Sequence, residues 1–218
     1  MDNKYQVVAL MGKAGAGKDA MQQTTCKLHS DMFHKIVSCT TRPPRSGEVD
    51  GEAYHFVSIT DFTRKVLNGD MLEATEFRDW FYGTPISSLV EDKINIGVFN
   101  PAGVEALLQD SRIETTVIFI DARDRTRLMR YLTREKTPDC AEMCRRYFAD
   151  EKDFADLDFD YYTINNEENG PLDLLHPYHS MDFEIDAIWT KLHPGDSHTK
   201  AGSEMIKEES SDDEVKND

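Results

Sequence analysis

The sequence predicts an α/β protein whose core is a parallel sheet covered by helices. Two nearly continuous apolar runs, residues 7–11 and 115–120, are rich in strand-forming side chains, which is typical of strands that helices cover on both faces. Segments with strand and helix character alternate along most of the chain. A chain of 218 residues can bury a substantial core, as one domain with insertions or as two small domains.

The first predicted strand leads directly into a glycine-rich loop. The loop has the spacing G-x-x-x-x-G-K of a phosphate-binding P-loop, and residues 20–23 suit a helix. Glycine lets the backbone approach phosphate oxygens, the amides and the following helix N-terminus form an anion site, and Lys18 adds a mobile positive charge. The alternative is a glycine-rich turn without a ligand. We expect nucleotide phosphates at Gly12, Lys13, Ala14, Gly15, Ala16, Gly17, Lys18 and Asp19.

Asp19 departs from the usual form of this motif. It stands where a serine or threonine usually offers a hydroxyl group to Mg²⁺. A carboxylate can also bind Mg²⁺, although it brings negative charge close to the phosphates. Asp19 is therefore a candidate magnesium ligand.

The other elements follow from hydrophobic periodicity, capping residues and turn residues. Short strands are expected at residues 35–37, 53–57, 71–77, 80–83, 94–99 and 161–164. Helices are expected at residues 61–68 with Thr60 or Asp61 as the cap, 87–92, 101–109 with a proline in the first turn, 124–135, 140–153 and 181–192.

The composition excludes some classes of function. A formal net charge of −16 argues against nonspecific binding to nucleic acid or to an anionic membrane. The longest apolar runs are far too short to span a bilayer, and the first residues lack a signal-peptide pattern. Four cysteines show no metal or disulfide spacing, so we expect reduced thiols in a cytoplasmic protein. These cysteines are Cys26, Cys39, Cys140 and Cys144.

A second informative block occupies residues 37–56. Arg42 and Arg45 lie in a proline-stiffened loop, where two guanidinium groups can hold a phosphate through bidentate contacts, and Tyr54 can add a hydroxyl donor. The block reads T-T-R-x-P-R-x-G-E-x-x-G-x-x-Y. Together with the P-loop, Met-Leu-Glu at 71–73, Trp-Phe-Tyr-Gly-Thr at 80–84 and residues 160–166, it resembles the guanylate kinase family over about residues 5–168. Phage and viral genomes also carry kinases of this type.

The resemblance implies a P-loop NTPase-type core with a parallel five-stranded sheet and flanking helices, an insertion that binds a nucleoside monophosphate (NMP), and a small helical lid. The corresponding segments are the core at residues 1–37, 89–122 and 153–193, the NMP-binding insertion at 38–88 and the lid at 123–152. Residues 194–218 are polar and acidic, and we expect them to be a disordered tail. The implied reaction moves the γ-phosphoryl group of ATP to GMP or dGMP, with Mg²⁺ as cofactor. The oligomeric state is left open.

The resemblance also implies which residues bind the nucleotides. Those at the acceptor nucleotide are Ser38, Arg42, Arg45, Tyr54, Glu73, Tyr82, Thr84 and Asn100. Glu73 suits guanine, because a carboxylate can accept hydrogen bonds from both N1–H and the 2-amino group. The alternatives are a solvated strand carboxylate for Glu73 and simple sheet packing for Tyr54 and Tyr82. Asn165 matches the residue near the adenine of ATP, the alternative being a turn after the last strand.

The lid segment concentrates positive charge in an otherwise acidic chain. Its basic residues are Arg123, Arg125, Arg127, Arg130, Arg134, Lys136, Arg145 and Arg146. The resemblance assigns Arg134 and Arg146 to the transferring phosphoryl group, with Arg145 as an alternative to Arg146. Most of the others are interpreted as a solvated helix face. The expected catalytic residues are Lys18, Arg42, Arg134 and Arg146.

The segment after the strand at 94–99 departs from the family pattern. Two aspartates that help with magnesium and with the guanine amino group are replaced by Val98 and Asn100, and Asp19 is a candidate replacement at the metal. Two alternatives therefore stay open. One is a kinase for a broader set of deoxynucleoside monophosphates or for another base. The other is a non-catalytic, protein-binding module, although such modules typically lack the intact P-loop that this chain keeps. The expected partners are ATP and GMP, dGMP or another NMP.

Overall fold

The protein is represented by a computed structural model that describes residues 4–44, 48–52, 54–77, 79–134 and 136–165. The strands within them are β1 (Tyr5–Met11), β2 (Phe33–Lys35), β3 (Cys39–Thr40), β4 (His55–Phe56), β5 (Met71–Phe77), β6 (Trp80–Pro85), β7 (Ile94–Val98), β8 (Ile113–Asp121) and β9 (Tyr162–Asn165). The α-helices are α1 (Lys18–Leu28), α2 (Ile59–Leu67), α3 (Pro101–Gln109), α4 (Asp124–Arg134) and α5 (Cys140–Asp153). The helix expected at residues 181–192 and the tail expected at 194–218 lie outside the described residues.

Five of these strands form a parallel sheet in the order β2–β7–β1–β8–β9. The five-stranded parallel core that the resemblance implied is therefore confirmed. The two apolar runs supply β1 and β8, which lie side by side in the centre of the sheet. A cluster of buried apolar side chains surrounds them, and α3 contributes to it. The cluster contains Val7, Ala9, Met11, Ile36, Leu72, Leu89, Phe99, Val104, Leu107, Ile113 and Val117.

The parallel arrangement brings the chemistry-bearing segments to one edge. Because all five strands point the same way, their carboxyl ends meet at the same edge of the sheet. The P-loop follows β1, Asn100 lies two residues beyond the end of β7, and α4 begins three residues beyond the end of β8. These three segments therefore lie at the carboxyl edge.

The segment between β2 and β7 forms a second sheet, of four strands in the order β4–β3–β6–β5. β6 pairs antiparallel with β3 and β5, whereas β3 and β4 are parallel. Phe62 of α2 is buried and stacks on Phe81 of β6 with the ring centroids 5.6 Å apart. Helix α2 therefore packs on this sheet.

The helix predicted at residues 87–92 is wrong. A short 3-10 helix covers Ile86–Ser88, and the chain then bends towards β7. The cause is Asn95, which is completely buried. Its side chain accepts a hydrogen bond from the Val90 N–H at 2.8 Å and donates one to the Val90 carbonyl at 2.9 Å. These bonds take the place of those that a helix would supply.

Other boundaries differ locally from the prediction. Helix α2 is capped by Ser58, not by Thr60 or Asp61, because Ser58 Oγ accepts a hydrogen bond from the Asp61 N–H at 3.0 Å. The strand expected at 35–37 lies at Phe33–Lys35, and the short strand β3 was not predicted. Within the described part of the chain, no helix has the length and apolar character needed to cross a membrane.

Candidate functional site

Three glycines of the P-loop have a positive φ, and two of them also lie directly against neighbouring backbone. Gly12 has a φ of +145° and lies against β8, where a Cβ atom would overlap the carbonyl oxygen of Ile120. Gly15 has a φ of +81°, and a Cβ atom there would lie 2.8 Å from the carbonyl oxygen of Arg127 in α4. Only glycine adopts both conformations readily. Gly12 of the motif and Gly15 within it therefore allow the loop to pack on β8 and α4, a role separate from the approach of phosphate.

Lys18 lies at the start of α1 with its side chain folded over the loop. Its Nζ donates hydrogen bonds to the Gly12 carbonyl at 2.7 Å and to the Lys13 carbonyl at 3.2 Å. Burial lowers the pKa of Lys18, while the carboxylates of Asp19 and Asp150 oppose this shift. The ammonium group is thus held against the P-loop, where the sequence predicted it.

Asp19 is exposed in the first turn of α1. Burial and then the charge of Asp19 raise the pKa of Tyr54, and the same charge opposes the lowering of the pKa of Lys18, so the electrostatic influence of this carboxylate extends to both residues. No cluster of three or more His, Cys, Asp or Glu side chains suited to a metal ion occurs among the described residues. A single carboxylate nevertheless fits Mg²⁺ bound to nucleotide phosphates, since phosphates and water supply most ligands in such sites.

Arg42 forms the centre of a second cluster, on the β3–β6 side of the molecule. Its side chain is 9% exposed, and the guanidinium group donates to both carboxylate oxygens of Glu48, at 2.9 and 3.0 Å. The group lies over the rings of Tyr54 and Phe56, 5.8 and 5.5 Å from their centroids. The hydrogen bonds to Glu48, with a further one to Tyr82, raise the pKa of Arg42. The predicted Arg42, Tyr54 and Tyr82 are therefore brought together around a bound carboxylate.

Glu73, Thr84 and Ser38 form a hydrogen-bonded chain next to this cluster. Thr84 is completely buried, and its hydroxyl donates to Glu73 Oε1 at 2.8 Å. Ser38 Oγ lies 2.8 Å from Thr84 Oγ1 and must donate, because the hydroxyl hydrogen of Thr84 is already used. Burial raises the pKa of Glu73 to about 7, and the hydrogen bonds from Thr84 limit the shift. The three residues predicted to face the base and the acceptor nucleotide thus interact directly.

Asn100 has a role that the sequence did not predict. It is the N-cap of α3, and its side-chain oxygen accepts a hydrogen bond from the Gly103 N–H at 2.7 Å. The amide oxygen is therefore engaged in capping, and the contact expected between Asn100 and the acceptor stays a prediction.

The side chains of two other predicted residues lie outside the described part of the structure. Arg45 lies outside the described residues. Asn165 ends β9, with its backbone opposite Asp121, and nothing is described of its side chain. Their contacts with the acceptor phosphate and with adenine also stay predictions.

The arginines assigned to the transferring group have partners within the lid. Arg145 and Arg146 both donate to Glu142, each with an Nε contact of 2.8 Å, and both are partly exposed. The guanidinium group of Arg134 lies over the Tyr131 ring, 5.4 Å from its centroid. A role at the phosphoryl group would require these side chains to leave their present partners.

Two other arginines, missed by the sequence interpretation, contact the P-loop. Arg127 is 3% exposed and is thus an exception to the solvated helix face expected for most of these basic residues. Its Nε donates to the Ala14 carbonyl at 3.0 Å, and Nη1 of Arg130 lies 3.3 and 3.2 Å from the Gly15 and Ala16 carbonyls. The available signal was their i, i+3 spacing, which puts both on one face of α4.

Helix α5 supplies acidic partners to the same loop. The Ala14 N–H donates to Asp150 Oδ2 at 2.6 Å, and Lys13 forms an ion pair with Glu151. Asp150 also pairs with Arg127 at 3.0 Å. The outer turn of the P-loop is therefore held by both helices of the predicted lid.

Comparisons with known proteins agree with this arrangement. The family model described as guanylate kinase matches residues 4–176. The chain is 32% identical over 173 residues to a guanylate kinase of Latilactobacillus sakei, covering 77% of this chain and 84% of that protein. It is 31% identical to a guanylate kinase of Onion yellows phytoplasma, covering 77% and 81% of the two chains. The crystal structure of a guanylate kinase from Anaplasma phagocytophilum has the same fold, with a TM-score of 0.59 at 20% identity, covering 95% of this chain and 96% of that one.

Proposed function

Because the chain belongs to the guanylate kinase family, we propose that it transfers the γ-phosphoryl group of ATP to GMP or dGMP. The observation that carries this proposal is the partly buried chain of hydrogen bonds from Ser38 through Thr84 to Glu73. It presents a carboxylate beside a cluster centred on Arg42, so that one side chain can recognise guanine while its neighbours hold the phosphate. The relatives whose names are given above are guanylate kinases, and nothing in the comparisons favours the alternatives.

The P-loop is proposed to hold the phosphates of ATP. Its backbone amides and the N-terminus of α1 form the anion site. Lys18 lies against the same loop and can exchange its backbone carbonyl partners for a phosphate oxygen. Asn165 is retained as the proposed contact to adenine.

The Arg42 cluster is proposed to hold the phosphate of the acceptor. Glu48 is bound to Arg42 by two parallel hydrogen bonds, the geometry that a phosphate also uses. The acceptor phosphate would exchange for this carboxylate and gain further contacts from Arg45, Tyr54 and Tyr82. Asn100 remains a proposed acceptor contact through its free amide hydrogens.

Asp19 is proposed to hold Mg²⁺ together with the phosphates of ATP. The ion would neutralise negative charge on the phosphate oxygens when bound. The carboxylate is suitable because it is exposed and interacts with both Lys18 and Tyr54, which belong to the donor and acceptor sides.

The positive charge needed around the transferring group is proposed to come from Lys18, Arg42, Arg134 and Arg146. The lid, residues 123–152, would bring the last two residues in while excluding water, so that ATP is not hydrolysed. The reaction is proposed to take place in the cytoplasm, in line with the free thiols of all four cysteines.

One observation keeps a different-base kinase as the second candidate. Asn100 stands where the family has an aspartate, and its side-chain oxygen is occupied by the Gly103 N–H. Recognition of the guanine amino group then depends on Glu73 alone, which would reduce discrimination against other bases. The intact P-loop, with Lys18 held against it, argues against a non-catalytic module.

A coupled assay of ADP release tests the proposal. ATP and Mg²⁺ are supplied with each of GMP, dGMP, dTMP, dCMP, dAMP and UMP. Turnover with GMP and dGMP only supports the proposal, and turnover with another base selects the second candidate. ATP binding without turnover on any acceptor would refute both. Glu73→Gln is the matched variant, since it keeps the shape of the side chain and should reduce selectivity for guanine.

A further inference from the structure

Arg127 is the most buried charged group in the described part of the lid. Its guanidinium group is 3% exposed and pairs with Asp124 at 2.9 Å and with Asp150 at 3.0 Å. A third carboxylate, that of Glu151, lies 3.8 Å away. Burying an ion costs free energy that only good hydrogen-bond geometry offsets, so a buried pair of this kind needs a specific reason to be present.

Arg127 and Asp150 together bind the backbone of a single P-loop residue, Ala14. Asp150 Oδ2 accepts hydrogen bonds from the Ala14 N–H at 2.6 Å and from Arg127 Nη2 at 3.0 Å. Arg127 Nε donates to the Ala14 carbonyl at 3.0 Å. The three hydrogen bonds form a closed ring in which both backbone groups of Ala14 are bound by an ion pair, so the backbone around Ala14 cannot rotate without breaking one of them.

The neighbouring residue strengthens this attachment. Gly15 has a φ of +81° and lies directly on the backbone of Arg127. Ala14 and Gly15 are thus fixed to α4 on one side and to Asp150 of α5 on the other. The direction of the following amides, which form the anion site, is determined by how this outer turn is held.

We propose that Arg127 and Asp150 are positioning residues for ATP. They hold Ala14 in the conformation that aligns the amides after it towards the phosphates. They also attach the first turn of α4 and the last turn of α5 to the loop. The inference rests on the proposed donor role of the P-loop. Neither side chain needs to touch ATP, and their effect should appear in ATP binding rather than in acceptor binding.

Asp124 offers a matched control. It pairs with the same guanidinium group at 2.9 Å, but its other oxygen accepts from the Tyr147 hydroxyl at 2.7 Å rather than from the loop. Asp124→Asn therefore weakens the ion pairing of Arg127 and leaves the Ala14–Asp150 hydrogen bond in place. It should reduce stability without changing the affinity for ATP.

The test combines calorimetry of ATP binding in the absence of acceptor with steady-state kinetics and thermal unfolding of the full chain. Asp150→Ala should weaken ATP binding about tenfold, and Asp150→Asn, which keeps an acceptor oxygen for the Ala14 N–H, about threefold. The KM for GMP should stay unchanged in both. Arg127→Met combined with Asp150→Ala should bind ATP no more weakly than the weaker single variant, because the two residues act as one unit.

Two results would overturn the inference. One is an ATP affinity within about twofold of the wild type in folded Asp150→Ala. The other is an equal loss in Asp124→Asn, which would mean that general stability is being measured. If Arg127→Met does not fold, the two Asp150 variants and the Asp124 control still decide. A wild-type chain that binds ATP but transfers nothing to GMP would refute the proposed function, and calorimetry alone would then decide the role of the pair.

Discussion

The donor side and the acceptor side of the candidate site are built in different ways. At the P-loop the surface predicted to bind phosphate is backbone, and its shape depends on two glycines that pack on β8 and α4. At the second sheet the site consists of side chains that already have partners, with Glu48 bound to Arg42 and Thr84 bound to Glu73. The donor side therefore depends on the packing of the loop, whereas the acceptor side depends on the identity of individual side chains.

The largest effect is expected from removing the central side chain of the acceptor side. Arg42→Ala should lower kcat/KM for GMP by about 10²–10³-fold, because a charged donor to the acceptor phosphate is lost. The KM for ATP should change little. Steady-state kinetics with each substrate varied in turn measures both values. Arg64→Ala, which removes an exposed arginine of α2, is the control that should behave like the wild type. An unchanged kcat/KM for GMP in Arg42→Ala would show that the acceptor phosphate binds elsewhere.

On the donor side, the most damaging change should be one that disturbs the packing of the P-loop. Gly12→Ala puts a Cβ atom into the carbonyl of Ile120, so we expect a loss of about 3 kcal/mol in the free energy of unfolding, together with loss of ATP binding. Gly69→Ala is the control, because Gly69 also has a positive φ but has open space around it, and it should cost about 1 kcal/mol. Urea denaturation measures both. Equal losses would mean that the backbone conformation, and not contact with β8, makes glycine necessary at position 12.

The acceptor side should respond to pH through Glu73. Burial raises the pKa of this carboxyl to about 7 from an ordinary value of 4.5. If the ionised form of Glu73 binds guanine as proposed, the KM for GMP should rise about tenfold for each pH unit below 7, while the KM for ATP stays nearly constant. Kinetics between about pH 5.5 and pH 8 measure this. Glu73→Gln should bind GMP weakly at every pH, and a wild-type KM that does not vary with pH would contradict the role of the carboxylate.

The same carboxyl should change stability in a predictable direction. The folded protein binds the Glu73 proton more tightly than the unfolded chain does, so this group lowers stability as pH rises from 4.5 to 7. Glu73→Gln removes that loss. Relative to the wild type, the variant should gain up to about 3 kcal/mol between the two ends of this range, measured by denaturant unfolding at each pH. A constant difference between the two proteins would mean that Glu73 does not titrate in this range.

The smallest effect is expected at Asp19, which interacts with both sides. If its carboxylate binds Mg²⁺, Asp19→Ser should raise the Mg²⁺ concentration for half-maximal rate by about fivefold, since a neutral hydroxyl binds the ion more weakly. Titration of Mg²⁺ at constant ATP measures the change. Full activity with an unchanged metal dependence would remove Asp19 from the list of metal ligands.

The fold and the family could be predicted from the sequence, and both sides of the candidate site were proposed from it, because each follows from local patterns. The P-loop motif follows a buried strand, and Arg42, Tyr54 and Glu73 lie within blocks of a recognisable family. The parallel order of the strands follows from their alternation with helices. Such residues can be interpreted from their neighbours within a few positions of the chain.

The contacts of the lid could not be predicted in this way. Arg127 reads as one basic residue among several on an acidic chain, and its burial depends on Ala14 and Asp150, which are 113 and 23 residues away. The bend after residue 88 is a related case, since the Asn95 side chain that takes up the backbone groups of Val90 is also bound to the carbonyl of Gln6, 89 residues away. The conformation at such positions depends on partners that are distant in sequence, and hydrophobic periodicity does not predict those partners.

The pairing of Glu48 with Arg42 also has a consequence for competition by small anions. A tethered carboxylate is present at its binding site at an effective concentration on the order of millimolar. Free inorganic phosphate below that level is therefore outcompeted by the protein's own side chain. If Arg42 holds the acceptor phosphate as proposed, a nucleotide would displace Glu48 more readily than free phosphate would, because contacts to its base add to those of its phosphate. We therefore expect the acceptor site to discriminate against free inorganic phosphate in its surroundings.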